Sequence, residues 1–252
     1  MSDKQQKNND YRGVMDEIRE QHHKLRNRPF KEKLAYFWEY YKIHTLVVVL
    51  LLTGIIYFIH SIVTSKDYCF YAVMLNSQPL SSDAIEQSFA DYAALDLAHY
   101  DCYIDTDTTL GSTDSSEAAI SQQAQYDMVV MQKLIAIMQT NELDAVVFND
   151  SVFETYAQNE MFMGLRTVLT EADLEKYADA LLYVDYESQQ HVPVGIYLDN
   201  SPFVKKSGCY YDTRPVFGIS LSSQHSDTAV TYLHYLFDET IPFDEMLKMP
   251  LQ

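Results

Sequence analysis

The sequence predicts an α/β domain, a mainly parallel sheet flanked by helices, preceded by one transmembrane helix. Three observations carry that prediction. Thr45 to Val63, TLVVVLLLTGIIYFIHSIV, runs nineteen residues without Asp, Glu, Lys or Arg, enough to cross a hydrocarbon layer of ~30 Å at ~1.5 Å per residue. Beyond it, short apolar runs alternate with segments of helical periodicity, the signature of strand–helix–strand units. The charge also changes at the span: residues 1 to 63 carry ten Lys and Arg against seven Asp and Glu (+3), and residues 64 to 252 carry eight against twenty-nine (−21).

Three parts follow: a tail with an interfacial aromatic segment over 1–44, the span over 45–63, and a domain over 64–252. The tail opens with polar MSDKQQKNND and then places Val14 and Ile18 at helical spacing among charges. Past Pro29, the side chains of Phe37, Trp38, Tyr40 and Tyr41 crowd the entry to the span. Such aromatics combine an apolar body with a polar edge and settle at the headgroup level, so this segment reads as a membrane-interface anchor continuous with the span. Arg26, Arg28, Lys31, Lys33 and Lys42 precede the span, and only Lys66 closely follows it. The positive-inside bias therefore places the N-terminus in the cytoplasm and the domain outside the cell. HSIVTSKDY offers no small-residue cleavage site, which favours an uncleaved single-pass anchor over a signal peptide.

Within the domain, Tyr68 to Leu75 is continuously apolar, as expected of a strand buried on both faces. Asp83 with Glu86 forms a capping-box pair ahead of Ile85, Phe89 and Tyr92. A second strand is predicted near Tyr100 to Ile104, and Asp114 with Glu117 opens a long helix reaching about Thr140. The later half of that helix, MVVMQKLIAIM, is apolar on most sides and is expected to be heavily buried. Leu143 to Phe148 is a third strand, and Ser151 with Glu154 starts a third helix.

In parallel sheets ligands gather beyond the carboxyl ends of the strands. Those ends are Asn76 and Ser77, then Asp105 and Asp107, then Asn149 and Asp150. These short polar side chains suit hydrogen bonding to a small solute, and they are equally the residues that turns and helix caps prefer. Tyrosines of YCFY (68–71) and CYY (209–211), with Tyr232 and Tyr235, are candidates for stacking surfaces.

No catalytic constellation is present. The chain lacks G-x-S-x-G, H-E-x-x-H, Walker A and G-x-G-x-x-G, and its seven glycines build no phosphate-cradling loop. His60, His99, His191, His225 and His234 are scattered, with His225 expected to be exposed ahead of a helix. From Asp105, DTDTTLGSTD puts Gly111 one place late for an EF-hand loop and Ser116 where the bidentate Glu belongs. No cofactor, metal or catalytic residue is therefore expected. Cys69, Cys102 and Cys209 have no zinc spacing. A bridge between Cys69 and Cys102 is weighed against buried free thiols, which the composition favours. An acidic domain repels phosphate backbones, which argues against nucleic acid as a partner.

The stretch from Thr140, TNELDAVVFNDSVFETYAQNEMFMGLRTVLTEADLEKYADAL, resembles extracytoplasmic solute-binding proteins of ABC importers at Leu143, Asp144, Phe153, Tyr156, Gly164, Leu165 and Leu169. Further matches are Pro193, Gly195, Pro215, Gly218, Ile219, Ala229, Leu233 and Leu236, in segments similar to that family's returning strand and closing helix. The FWEYYKIH entry is also similar to single-span exterior proteins of Gram-positive bacteria. The resemblance implies a single lobe of the type 2 periplasmic-binding-protein-like fold, because too little chain separates the third helix from the returning strand for a second lobe.

Two functions follow. The first is a non-catalytic interaction module docking on an envelope or membrane protein. The alternative is a binding protein or sensor for a small solute (sugar, amino acid or peptide) linked to transport. A half-clamp encloses little of a ligand, which ranks the interaction module first.

Overall fold

A computed structural model describes residues 29–64, 66–78, 80–111, 117–210 and 213–246. The amphipathic stretch near Val14 and Ile18 and the predicted cap at Asp114 lie outside the described residues, as do the side chains of Phe37, Tyr40 and Tyr41. The chain divides into two units, Met1–Ser65 and Lys66–Gln252.

In the first unit, helix α1 spans Phe30–Thr64. The aromatic segment and the apolar run thus share one helix, and the Trp38 side chain is exposed. Its portion Lys42–Thr64, 23 residues of mean hydropathy 2.6, is the one helix among the described residues long and apolar enough to cross a membrane.

The second unit begins with β1 (Tyr68–Met74), α2 (Ser82–Tyr92), β2 (Asp101–Asp105), α3 (Glu117–Gln139), β3 (Ala145–Asn149) and α4 (Asp150–Gln158). Next come α5 (Glu171–Lys176), β4 (Leu181–Val184), β5 (Val192–Tyr197), α6 (Pro202–Ser207), β6 (Pro215–Ile219), α7 (Ser226–Leu236) and α8 (Phe243–Met246). The six strands form one sheet in the order β2-β1-β3-β6-β5-β4. Burial explains which strands are central. Phe70 to Met74 of β1 and all of β6 are buried on both faces, whereas edge strand β2 alternates, with Cys102 and Ile104 inward and Asp101 and Tyr103 outward.

The expectation of a mainly parallel sheet is corrected. Only β1–β2 and β1–β3 pair in parallel, while β3–β6, β6–β5 and β5–β4 pair antiparallel. The reason lies in the connections. A helical crossover over the sheet face joins β1 to β2 and β2 to β3, as parallel pairing requires. By contrast β4 and β5 form a hairpin, and the link from β5 to β6 stays at one edge, so β6 must run back against both its neighbours.

Helices cover both faces of the sheet. On one, Phe70, Ala72, Ile104, Val147 and Phe217 pack with Ile85 and Phe89 of α2, Phe203 of α6 and Tyr232, Leu233 and Leu236 of α7. On the other, Tyr71, Val73, Val146 and Phe148 meet Val130, Leu134 and Ile137 of α3 and Phe153 and Tyr156 of α4. Phe153 stacks on Phe162 at 4.3 Å between centroids. The absent side chains of Gly195 and Gly218 make room for it: a Cβ on either would lie 2.8 Å or 2.5 Å from its ring.

Three local expectations change. The Asp83–Glu86 capping box is absent: Ser81 occupies the N-cap without a side-chain bond, and Glu86 instead accepts from the Ile104 N–H at 2.9 Å. Among the described side chains of α3 only one stripe, Val130, Leu134, Ile137 and Met138, is buried, and Met128, Val129, Met131 and Ile135 are exposed. Tyr232 and Tyr235 are fully buried core residues and offer no stacking surface.

Candidate functional site

The carboxyl ends of β1, β2, β3 and β5 share one edge of the sheet with the start of β6, because Asn149 pairs with Pro215 and Tyr197 with Val216. The structure therefore gathers the sequence-predicted residues on one rim, but commits Asn76, Ser77 and Asp105 to hydrogen bonds within the chain. Asn76 adopts φ +59°, its N–H donates to Thr108 O at 3.0 Å and its Oδ1 accepts from the Leu110 N–H at 2.6 Å. Ser77 is buried and donates to Thr106 O at 2.8 Å.

Asp105 is buried at 4 % exposure and its carboxylate is saturated. Oδ1 accepts from the N–H groups of Asp107 and Thr108, both at 3.1 Å, and Oδ2 from Thr108 Oγ1 at 2.8 Å and Lys133 Nζ at 2.7 Å. Burial pushes its pKa up, but the Lys133 ammonium and the Thr108 hydroxyl outweigh this and hold it below the usual carboxylate value. With four acceptor positions filled, Asp105 has no capacity left for a solute or a cation. Asp107 is exposed and takes no part in that network beyond its backbone.

On β3, Asn149 Nδ2 donates to Ser151 Oγ at 3.0 Å, and its Oδ1 is buried with no partner among the described residues. Asp150 Oδ1 accepts from the Ser151 N–H at 2.8 Å, and the Asp150 N–H donates to Arg214 O at 2.9 Å. None of these six residues lines the groove beside Arg214.

The space between the β1 and β3 ends is filled by the chain itself. Because β6 runs antiparallel, the link from β5 to β6 remains at this edge, and its segment after α6 lies over the strand ends. The Gln78 N–H donates to Cys209 O at 2.7 Å, and the buried Tyr210 donates its phenol to Val147 O at 3.1 Å. Desolvation raises the Tyr210 pKa well above the ordinary tyrosine value, so the plug remains neutral.

Beside this plug opens a groove of about 490 Å3, lined by Asp199, Val204, Lys205, Gly208, Tyr210, Thr213, Arg214 and Pro215. Arg214 is held firmly there: Nε and Nη2 donate to Asp199 Oδ2 at 3.0 and 2.7 Å, and its guanidinium lies 3.9 Å from the Tyr197 ring centre. Lys205 Nζ donates to Asn200 Oδ1 at 3.1 Å. The sequence reading missed these residues, although a signal existed: Lys205, Lys206 and Arg214 are three of only eight basic residues beyond the span, clustered within ten positions.

At the opposite edge Asp144, with no exposed surface, accepts from the Tyr71 N–H at 3.0 Å, Ser223 Oγ at 2.6 Å and the His225 N–H at 3.2 Å. His225 Nδ1 lies 3.4 Å from Asp144 Oδ2, so this half-exposed histidine is tied to the core rather than free. The serine bonds the carboxylate and not the imidazole, an arrangement that leaves no activated nucleophile. Cys69, Cys102 and Cys209 are free thiols, and burial raises the pKa of Cys102 to about 12 and of Cys209 to about 11. Among the described residues no cluster of three His, Cys, Asp or Glu side chains is placed to hold a metal ion.

Comparison with protein-family models, with curated proteins and with solved structures returns no match.

Proposed function

We propose that the protein is a non-catalytic interaction module with a one-lobed, solute-binding-like domain. A single-pass helix anchors it in the cell membrane, with the N-terminus cytoplasmic and the domain extracellular. The span's length and the charge step across it support the anchoring and the orientation.

The observation that carries the interaction reading is the outward face of α3. Met128, Met131 and Ile135 recur at i, i+3 and i+7 and form an exposed apolar stripe, with Val129 beside it. The helix thus has one apolar stripe packed on the sheet and another facing solvent. Contiguous exposed apolar surface of several hundred Å2 on a folded domain marks an interaction site. Methionines suit such a face because their unbranched, polarisable side chains adapt to a partner. The strand ends point the same way, since Tyr210 packs its phenol against the Val147 carbonyl beside the crevice where a parallel sheet would hold a solute. The partner that fits is an envelope or membrane protein presenting an apolar face near the outer leaflet.

Photo-crosslinking from position 128 or 135 in intact cells tests this. A discrete heterologous adduct is expected, and it should disappear when the other position carries Glu (Ile135→Glu for a probe at 128, Met128→Glu for a probe at 135), each change altering stability by less than ~0.5 kcal/mol, as for surface positions. Adducts with this chain alone, or none above those from exposed control positions, would sink the docking idea.

A further inference from the structure

We infer that the groove between α6 and the first residues of β6 is a binding site for a small carboxylate bearing an apolar group, gripped by Arg214 and Lys205. The inference is independent of the docking face on α3.

Its basis is the inventory of free donors. A guanidinium carries five N–H donors. Asp199 takes Nε–H and one Nη2–H, which leaves the Nη1–Nη2 edge, the second edge on which an arginine engages a carboxylate with two parallel bonds. Asp199 on one side and the Tyr197 ring beneath fix the plane of that edge, so little side-chain freedom remains to be lost on binding. Among the described residues Lys205 has one donor on Asn200 and two without a partner, and Thr213 adds an exposed side chain. The rest of the lining includes Val204, Tyr210 and Pro215, which are buried and predominantly apolar.

Charge selects among anions. Two cations and one carboxylate line the groove, and Asp150 also acts electrostatically on Arg214, all within a domain of formal charge −21. A monoanion pairs with the free guanidinium edge at the least cost, whereas a phosphate dianion meets stronger repulsion from the surrounding acidic surface. The apolar wall then favours a hydrocarbon or aromatic group beside the carboxylate. The volume of about 490 Å3 lies within the range of small-molecule sites. Both a free organic acid and the C-terminus of a short apolar peptide present this chemistry.

The test is calorimetric titration of the full chain in lipid nanodiscs with benzoate, with N-acetyl-leucyl-leucine and with the C-terminal amide of the same dipeptide. The dipeptide acid is expected to bind at least about tenfold more tightly than its amide, the worth of one charge-assisted pair. Arg214→Gln and Lys205→Met should each weaken it by a similar factor. Lys205→Met gives up only the Asn200 contact, and an unchanged near-ultraviolet tyrosine spectrum checks its fold. Binding of benzoate comparable to the dipeptide supports the site with a free acid as its source, and much tighter binding of the dipeptide supports it with a peptide end. Equal affinity for acid and amide, no binding of either acid below about 10 mM, or native affinity in both variants would overturn the assignment. Met128→Glu leaves this titration unchanged, so the groove and the α3 face stand or fall separately.

Discussion

Asp105 is the predicted site residue whose role the structure most changes, and its replacement by Asn separates a ligand-binding role from a structural one. In Asp105→Asn, Oδ1 still accepts the N–H groups of Asp107 and Thr108, while an amide NH2 replaces Oδ2 and faces Lys133 Nζ and Thr108 Oγ1. One bond to a charged donor is lost, worth ~1.5–3 kcal/mol when buried. The Lys133 side chain is half exposed, and solvent screening moves its share to the lower end. The Thr108 hydroxyl must also turn away. A loss of about 2 kcal/mol follows for Asn, and about 3–4 kcal/mol for Ala, which strips the partners from two backbone N–H groups as well. The assay is urea unfolding of the detergent-solubilised full chain, followed by tyrosine near-ultraviolet circular dichroism. An unfolded Asp titrates near ~3.9, and Asp105 in the fold titrates lower. Its stabilisation is therefore complete above the unfolded value and is lost as pH falls through the folded one, so the native chain's advantage over Asn should shrink below about pH 4. An Asn variant within ~0.5 kcal/mol of native at neutral pH, or an advantage that grows in acid, would refute the reasoning.

Two further perturbations probe the core. Gly218→Ala puts a methyl 2.5 Å from the Phe153 ring, which is fully buried and stacked on Phe162, and should cost ~1–3 kcal/mol by overpacking. A double-mutant cycle with Phe153→Leu should recover part of that loss, and strict additivity would contradict the contact. Asp144→Asn leaves an amide NH2 against at least one of the donors from Tyr71, Ser223 and His225, with an expected cost of about 3 kcal/mol; unchanged unfolding would show that this buried carboxylate is not a tie between strand and helix.

The first half of the domain was legible because its signals are local. Continuous apolar runs at Tyr68 and Leu143, separated by helical periodicity, foretold β1 and β3 to within two residues and a helix after each of the first three strands. The second half was not, because strand direction is set by how a connection is routed, and VPVGIYLDN and RPVFGIS read the same in either sense. The candidate site suffered from that error. Strand ends such as Asn76, Asp105 and Asn149 were correctly gathered at one rim, but antiparallel β6 keeps its incoming connection on that rim, where Tyr210 and Cys209 fill the crevice. For α3, apolar composition signalled burial on most sides, whereas a helix lying on one sheet face buries only the stripe toward it. Composition alone cannot distinguish a buried second stripe from an adhesive one.

The position of β6 also governs the order in which the domain can be completed. It is the last strand among the described residues yet lies inside the sheet, bonded to β3 on one side and β5 on the other. The pairing of Val147 with Phe217 joins residues far apart in sequence, and such contacts form slowly because a long loop must close first. Until residue 219 is available, β1–β2–β3 and β4–β5 are two sheet fragments with bare edges. The sheet therefore closes late, whatever the route by which the chain is delivered. Mispairing of those two bare edges is concentrated in the interval before β6 is in place, and β6 acts as the fold's closing bolt.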